Sequence, residues 1–252
     1  MLASGAGGLA FAAGLQRAAP HEDVVVLCDH AYAPYGRRPG RVVRDRVLRL
    51  ADELLEQSPK VLVLASAQAT LDVLDELRRR MPVPVVGLDR LLPHAVTATN
   101  WQPLAVVTGQ GCVRGVQQAR WLRGQRDGVL AMPVQWAGLA ELVESGAASS
   151  PQAAALVAQR MAELPEDRAG VLLACPHAAA VRPLVESNAD GMAVTDVVDI
   201  TTQRVLQVLR RGNALAHRHR AGRRIVISSH PGRAQRGVAA LMRPAPAPRV
   251  RR

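Results

Sequence analysis

The chain has almost no aromatic residues, one lysine and three cysteines, and each scarcity excludes something. Phe, Trp and Tyr together make up 2% of 252 residues. Nucleic-acid readers usually add stacking aromatics or a reading motif to their basic charge, and neither is evident. Cys28, Cys112 and Cys175 are odd in number and widely spaced. That pattern does not suit a disulfide framework and points to a reducing, cytoplasmic setting. No Cys or His pair has zinc-ligand spacing with partners nearby; His217 and His219 stand alone. No run of 18 or more residues is apolar and free of charge, so no transmembrane helix is expected. Met1 to Gly5 carries no basic n-region, and no secretory leader is expected.

What is present is a hydrophobic fraction of 48%, enough for a folded core. The formal net charge of +11 is unevenly placed. From Arg204 to Arg252 there are 13 arginines and no acidic residue. The first 203 residues then hold 19 of the 32 basic residues against all 21 acidic ones, so the body is close to neutral. A basic run of this kind is usually a solvated segment, and the lone Lys60 shows a chain-wide bias towards arginine. Nucleic acid and membrane are therefore not expected partners.

Continuous apolar runs alternate with helical patterns. Strands are expected at Val24–Cys28, Val61–Ala65, Val83–Leu88, Leu104–Thr108, Val129–Val134, Gly170–Cys175, Met192–Val198 and Arg224–Ser228. Unbroken apolar strands suit a parallel sheet buried on both faces. Helices are expected at Gly8–Ala18, Arg41–Gln57, Thr70–Arg80, Val113–Arg123, Pro151–Leu164, Ala178–Glu186 and Thr201–Arg211, the last stopped by Gly212 as a C′ glycine would. Alternation of this kind gives an α/β fold.

The halves repeat. Ser4 and Thr108 each follow an apolar run and precede glycines, 104 residues apart. Ser66 and Cys175 each end an apolar run before a helix, 109 apart. Two similar parallel-sheet α/β domains follow, related by a pseudo-twofold. We place the first in residues 1–97 plus 206–242, the second in 98–205, and a disordered basic tail at 243–252. Ligands of parallel sheets bind beyond the carboxyl ends of the strands, so these loops should share one cleft.

Three segments there could carry chemistry. Cys175 precedes a helix, where free N–H groups and the helix dipole stabilise a thiolate, and His177 follows closely. The bland reading is a small buried hydrophobe. Ser4-Gly5-Ala6-Gly7-Gly8 can present backbone N–H groups to a carboxylate or phosphate, or serve only as a tight turn. It lacks a dinucleotide fingerprint. Pro34-Tyr35-Gly36 reads locally as an ordinary turn, though Tyr35 is one of only two tyrosines.

Taken in order, these segments resemble the glutamate racemases of the aspartate/glutamate racemase superfamily. That family opens with Asp-Ser-Gly-x-Gly-Gly-Leu, against Ala3-Ser4-Gly5-Ala6-Gly7-Gly8-Leu9 here. Its Ala-Asp-x-x-x-x-Pro-Tyr-Gly loop matches Cys28 to Gly36. Its first catalytic loop, Ala-Cys-Asn-Thr-Ala, aligns with Ala65-Ser66-Ala67-Gln68-Ala69. Its Gly-Thr turn aligns with Gly111-Cys112, and its Gly-Cys-Thr-His loop with Ala174-Cys175-Pro176-His177. The match runs from Leu2 to about Gly237.

The resemblance implies a site between two domains, with no metal or other cofactor. One thiolate removes the α-proton of the amino acid and an opposite thiol returns a proton to the other face, because inversion needs an acid/base group on each side. An Asp and a Glu/His assist, and the product D-glutamate feeds peptidoglycan synthesis and cell shape. The implied catalytic residues are Cys175, His177, Glu144 and a degenerate Ser66. The implied substrate contacts are Ser4, Gly5, Pro34, Tyr35, Gly36, Gln68 and Cys112. A homodimer is the oligomer the resemblance allows. Ser66 stands where one thiol belongs, and a serine hydroxyl ionises many units above a thiol's roughly 8.5. Ala3 replaces the assisting Asp, Ala67 and Gln68 replace Asn and Thr, and Pro176 removes both a Thr and a backbone donor. The expectation is a glutamate racemase-like protein with impaired or one-sided activity. Two alternatives stand beside it: an inactive relative with a binding or regulatory role, and a single-cysteine enzyme of decarboxylase or lyase type.

Overall fold

The computed structural model describes residues 1–89, 103–108, 131–164, 166, 168–217 and 220–230. The expected helix Val113–Arg123, the boundary near 97–102, Cys112 and the tail at 243–252 lie outside them. Among the described residues, no helix is long and apolar enough to cross a membrane.

The chain begins β1 (Leu2–Ala3), α1 (Gly7–Ala18), β2 (Val24–Cys28), a 3-10 turn (Tyr35–Arg37), α2 (Gly40–Leu55), β3 (Leu62–Ala65), α3 (Ala67–Arg80) and β4 (Val85–Val86). It continues with β5 (Leu104–Thr108), β6 (Ala131–Gln135), α4 (Leu139–Glu144), α5 (Pro151–Ala162), β7 (Gly170–Leu173), α6 (Pro176–Ala180), α7 (Arg182–Glu186), β8 (Ala193–Asp196), α8 (Val197–Arg211) and β9 (Arg224–Ser228).

Two parallel sheets result, in the orders β4-β3-β1-β2-β9 and β6-β5-β7-β8. Read from the opposite edge, the second is β8-β7-β5-β6. Each half thus puts its first strand between its second and third, with the fourth outside the third. The repeat read from residue offsets is a repeat of topology, with β9 as an added edge strand. Parallel neighbours put every strand's carboxyl end on the same rim, which gathers the following loops.

Alternation along the strands divides the core. Leu2, Leu27, Leu62 and Leu64 face α2 and α3 with Val43, Val47, Ala69 and Leu77. Ala3, Val26, Cys28, Val63 and Ala65 face the other way, into a core that runs without a break through α1 to Leu172, Cys175, Val197 and Val205. The two halves share that second core, with α1 packed on both α6 and α8.

Several boundaries differ from expectation, each for a local reason. α3 starts at Ala67 rather than Thr70, because Ser66 is its N-cap and its hydroxyl accepts from the Ala69 N–H. α8 starts at Val197 rather than Thr201, cutting short the expected strand Met192–Val198. Asp196 caps it, accepting from the Asp199 N–H at 2.8 Å. The helix expected over Ala178–Glu186 is two short helices broken at Val181, since Pro183 in the first turn of α7 has no N–H for a continued ladder. Gly212 ends α8 with φ −84°, so it is not the left-handed residue; Asn213 is, at φ 48°. Asn tolerates that region better than most side chains. α4 was not expected: it is six residues long and starts from Gly138 at φ 83°, which few other residues adopt.

Candidate functional site

The loops after β1, β2, β3 and β7 meet on one small cavity of about 40 Å³, lined among others by Ser4, Pro34, Tyr35, Gly36, Ser66, Gln68, Cys175 and His177. Eight of the eleven residues proposed from sequence therefore share one wall system. Of the other three, Gly5 and Glu144 lie directly behind it, and Cys112 is outside the described residues. The cavity holds only a few water molecules.

Ser66 and Cys175 are structural counterparts. Each is the N-cap of the helix after the third strand of its half, with extended backbone (φ −148°, ψ 124° and φ −139°, ψ 154°). Each side chain accepts from the N–H three residues on at 3.4 Å, Ala69 for Ser66 Oγ and Ala178 for Cys175 Sγ. Both are buried.

Behind Cys175 stands an ionic pair. His177 Nε2 lies 2.7 Å from Glu144 Oε1, and the same oxygen accepts from the Ala6 N–H at 2.9 Å. Burial works against a charged His177, but hydrogen bonds to Cys175 and Glu144, and their charges, outweigh it and raise its pKa to about 10. Burial likewise opposes the Glu144 carboxylate, yet His177 and the Ala6 N–H hold it below its ordinary range. At neutral pH this is an imidazolium–carboxylate pair beside the Cys175 sulfur.

The glycine-rich turn does receive a carboxylate, as its geometry suggests, and the carboxylate is the protein's own Glu144. Gly5 leaves the room for this: a Cβ there would run into the Glu144 carboxylate as it is now held. Through Ala6 the first half holds the acid of the second.

Among the described residues, no such pair stands behind Ser66. Ala3 is buried at the end of β1 beside it in the sheet. Gln68 donates to Asp72 at 2.9 Å and is thereby drawn along its own helix. Tyr35 donates to Asp29 Oδ2 at 2.8 Å, and burial with the Asp29 charge pushes the phenol far above its ordinary range, so it stays protonated. Asp29 is fully buried, with both oxygens held by Arg46 at 2.9 and 2.7 Å and a 2.5 Å bond from Ser229. Burial raises its pKa, but the bonds from Arg46, Ser229 and Tyr35 prevail and keep it ionised. This network anchors the Pro34-Tyr35-Gly36 wall, which follows a cis Ala33–Pro34 bond. Cys28 sits under α1 with its pKa pushed up by burial to about 12, which leaves it an inert thiol.

Sequence reasoning missed Arg46, Ser229, Arg37 and Glu141. An arginine and a serine on distant elements give no local signal for a shared carboxylate. Arg37 and Glu141 form an ion pair between the 3-10 turn and α4 at the edge of the cavity. Among the described residues, no group of three His, Cys, Asp or Glu side chains is gathered as a metal site requires.

The model of the family described as Asp/Glu/Hydantoin racemase matches residues 8–205. The chain is 34% identical over 223 residues to a glutamate racemase of Deinococcus radiodurans, covering 87% of this chain and 77% of the relative. It is 32% identical over 236 residues to one from Pseudomonas aeruginosa, covering 92% and 89%. Among solved structures, the Thermus thermophilus glutamate racemase in complex with β-chloro-D-alanine superposes with a TM-score of 0.78 at 25% identity, covering 96% of this chain and 92% of that one. The Bacillus anthracis isoform RacE1 shares the fold with a TM-score of 0.80 at 21% identity, covering 94% and 92%.

Proposed function

The chain belongs to the Asp/Glu/hydantoin racemase family, and from that premise we propose that it is a glutamate racemase-like protein working from one side. Cys175, with His177 and Glu144, is the working acid/base of that reading; Ser66 is its disabled counterpart. The carrying observation is that the two residues occupy equivalent helix N-caps on one cavity wall, and that among the described residues only Cys175 has a proton-handling pair behind it.

The chemistry balances without a cofactor. Cys175 as thiolate takes the α-proton, so an S–H bond forms as the Cα–H bond breaks. The electron pair left on Cα spreads into the α-carboxylate. Returning a solvent-exchanged proton from the same sulfur restores the amino acid with its configuration kept. Inversion needs a donor on the opposite face, and a serine hydroxyl is a much weaker acid than a thiol. Gln68, Ser4 and the Pro34-Tyr35-Gly36 wall are the proposed substrate contacts.

The test is incubation of the purified protein with L-glutamate, and separately D-glutamate, in D₂O. The expected result is α-deuterium uptake by one enantiomer with little or no formation of the other. Fast interconversion would overturn the one-sided reading, and a complete lack of exchange in both would favour a binding or regulatory relative. The same reading carries a cytoplasmic setting and a homodimer, which sedimentation velocity would test; supply of D-glutamate to peptidoglycan synthesis would follow only from the fast interconversion that overturns it.

A further inference from the structure

A cavity of about 40 Å³ does not admit a dicarboxylic amino acid, whose ten non-hydrogen atoms need several times the roughly 30 Å³ of one water. Something at its boundary must give way. On the far side lies a wider, open recess of about 650 Å³, lined by Ala33, Pro34, Arg37, Arg38, Glu141, Glu144 and Ser145. Pro34 and Glu141 line both spaces. The Arg37–Glu141 ion pair therefore stands at the partition, with Arg37 on the loop after β2 and Glu141 on α4 of the other half.

We propose that Arg37 recognises the distal carboxylate of a dicarboxylic amino acid, exchanging Glu141 for the substrate. The inference rests on the racemase-type reading and adds a specificity determinant to it. Three observations carry it. The pair is exposed, 55% for Arg37 and 38% for Glu141, and an exposed pair contributes only about 0–1 kcal/mol, so swapping one carboxylate for another costs little. Arg38 does not compete for the role, since its guanidinium is turned back on the Tyr32 carbonyl and ring. Glu141 carries the same charge as the incoming group, so it must withdraw as the substrate enters. A planar guanidinium offers a carboxylate two parallel donors, which an uncharged side-chain amide cannot match.

The experiment is isothermal titration of the full chain with L-glutamate and with L-glutamine at low salt, for the wild type, Arg37→Ala and Glu141→Gln. Arg37→Ala should weaken L-glutamate binding roughly tenfold, the size of one charge-assisted hydrogen bond, and leave L-glutamine unchanged. Glu141→Gln should move the opposite way and tighten L-glutamate a few-fold, because it removes the competing carboxylate. If the two variants shift L-glutamate in the same direction, or if Arg37→Ala changes neither ligand or both alike, the pair is a plain strut and the proposal is overturned. If the wild type binds neither ligand, the racemase-type reading falls together with it.

Discussion

The two half-sites share a backbone and differ in what stands behind it. Ser66 and Cys175 cap equivalent helices with the same extended geometry and the same 3.4 Å bond. Ser66 is backed by Ala3 and by a glutamine turned towards Asp72. Cys175 is backed by His177 and Glu144, and the carboxylate is fixed in turn by the Ala6 N–H of the opposite half. The lesson is that the N-cap position is a structural requirement that any small acceptor side chain meets. Chemistry at that position is decided by the neighbours. A serine in place of a thiol at Ser66 leaves the cap and the scaffold intact.

The largest effect that would break this comparison is on the working side. Cys175→Ala should reduce α-deuterium exchange by about a hundredfold or more, as removal of a general acid/base does. Unchanged exchange, followed by mass spectrometry, would remove Cys175 from the proposed chemistry. The next sharpens it from the other side. Ser66→Cys keeps the cap and adds a thiol, so interconversion of L- and D-glutamate should rise by roughly tenfold or more while single-face exchange stays within about threefold. Circular dichroism of the substrate would show this, and no rise would shift the deficit to Ala3 and Gln68. Smaller again, Glu144→Gln leaves His177 without its carboxylate; exchange should fall by about tenfold and the fold lose about 1–3 kcal/mol in urea denaturation.

The smallest effect is on pH dependence. The folded pKa of His177, about 10, lies above its ordinary 6.5, so its contribution to stability is fully present below pH 6.5 and is lost as pH rises towards 10. The folded pKa of Glu144 lies below its ordinary 4.5, so its contribution is present above pH 4.5 and lost as pH falls further. The pair is fully stabilising between those values. Tm should decline from about pH 6.5 towards 10, and His177→Asn should flatten that alkaline limb; an unchanged slope would show that the pair does not govern it.

Much of this was legible in the chain. Buried parallel strands are unbroken apolar runs, so β2 and β5 fall on their expected residues, and the half-exposed edge strand β9 does so through its Ile225-Val226-Ile227 run. β1 is two residues long, too short for periodicity to reveal, and β4 keeps only Val85–Val86 of the strand expected at Val83–Leu88. Caps were underused: Ser66 and Asp196 each mark a helix start that apolar spacing alone put later. The cavity wall was readable because its residues cluster in the four loops that follow β1, β2, β3 and β7. The Asp29–Arg46–Ser229 network and the Arg37–Glu141 pair were not, since their partners lie 17, 200 and 104 positions apart. Only the fold brings them within reach.

The order of the first sheet has a consequence for how the chain is made. β2 pairs on one side with β1, close in sequence, and on the other with β9, where Val24 meets Arg224, 200 positions away. Strands β5 to β8 can pair among themselves before β9 leaves the ribosome. During that interval the outer edge of β2 has no partner, and open edges of apolar strands invite pairing with other chains. Closing so long a loop is slow. When β9 arrives it brings its own fastenings, Ser228 to His30, Ser229 to Asp29, and Arg220 and Arg223 to Asp23. Maturation of the protein thus waits on its last described strand, and truncation within that strand would expose a sticky edge while leaving the second sheet complete.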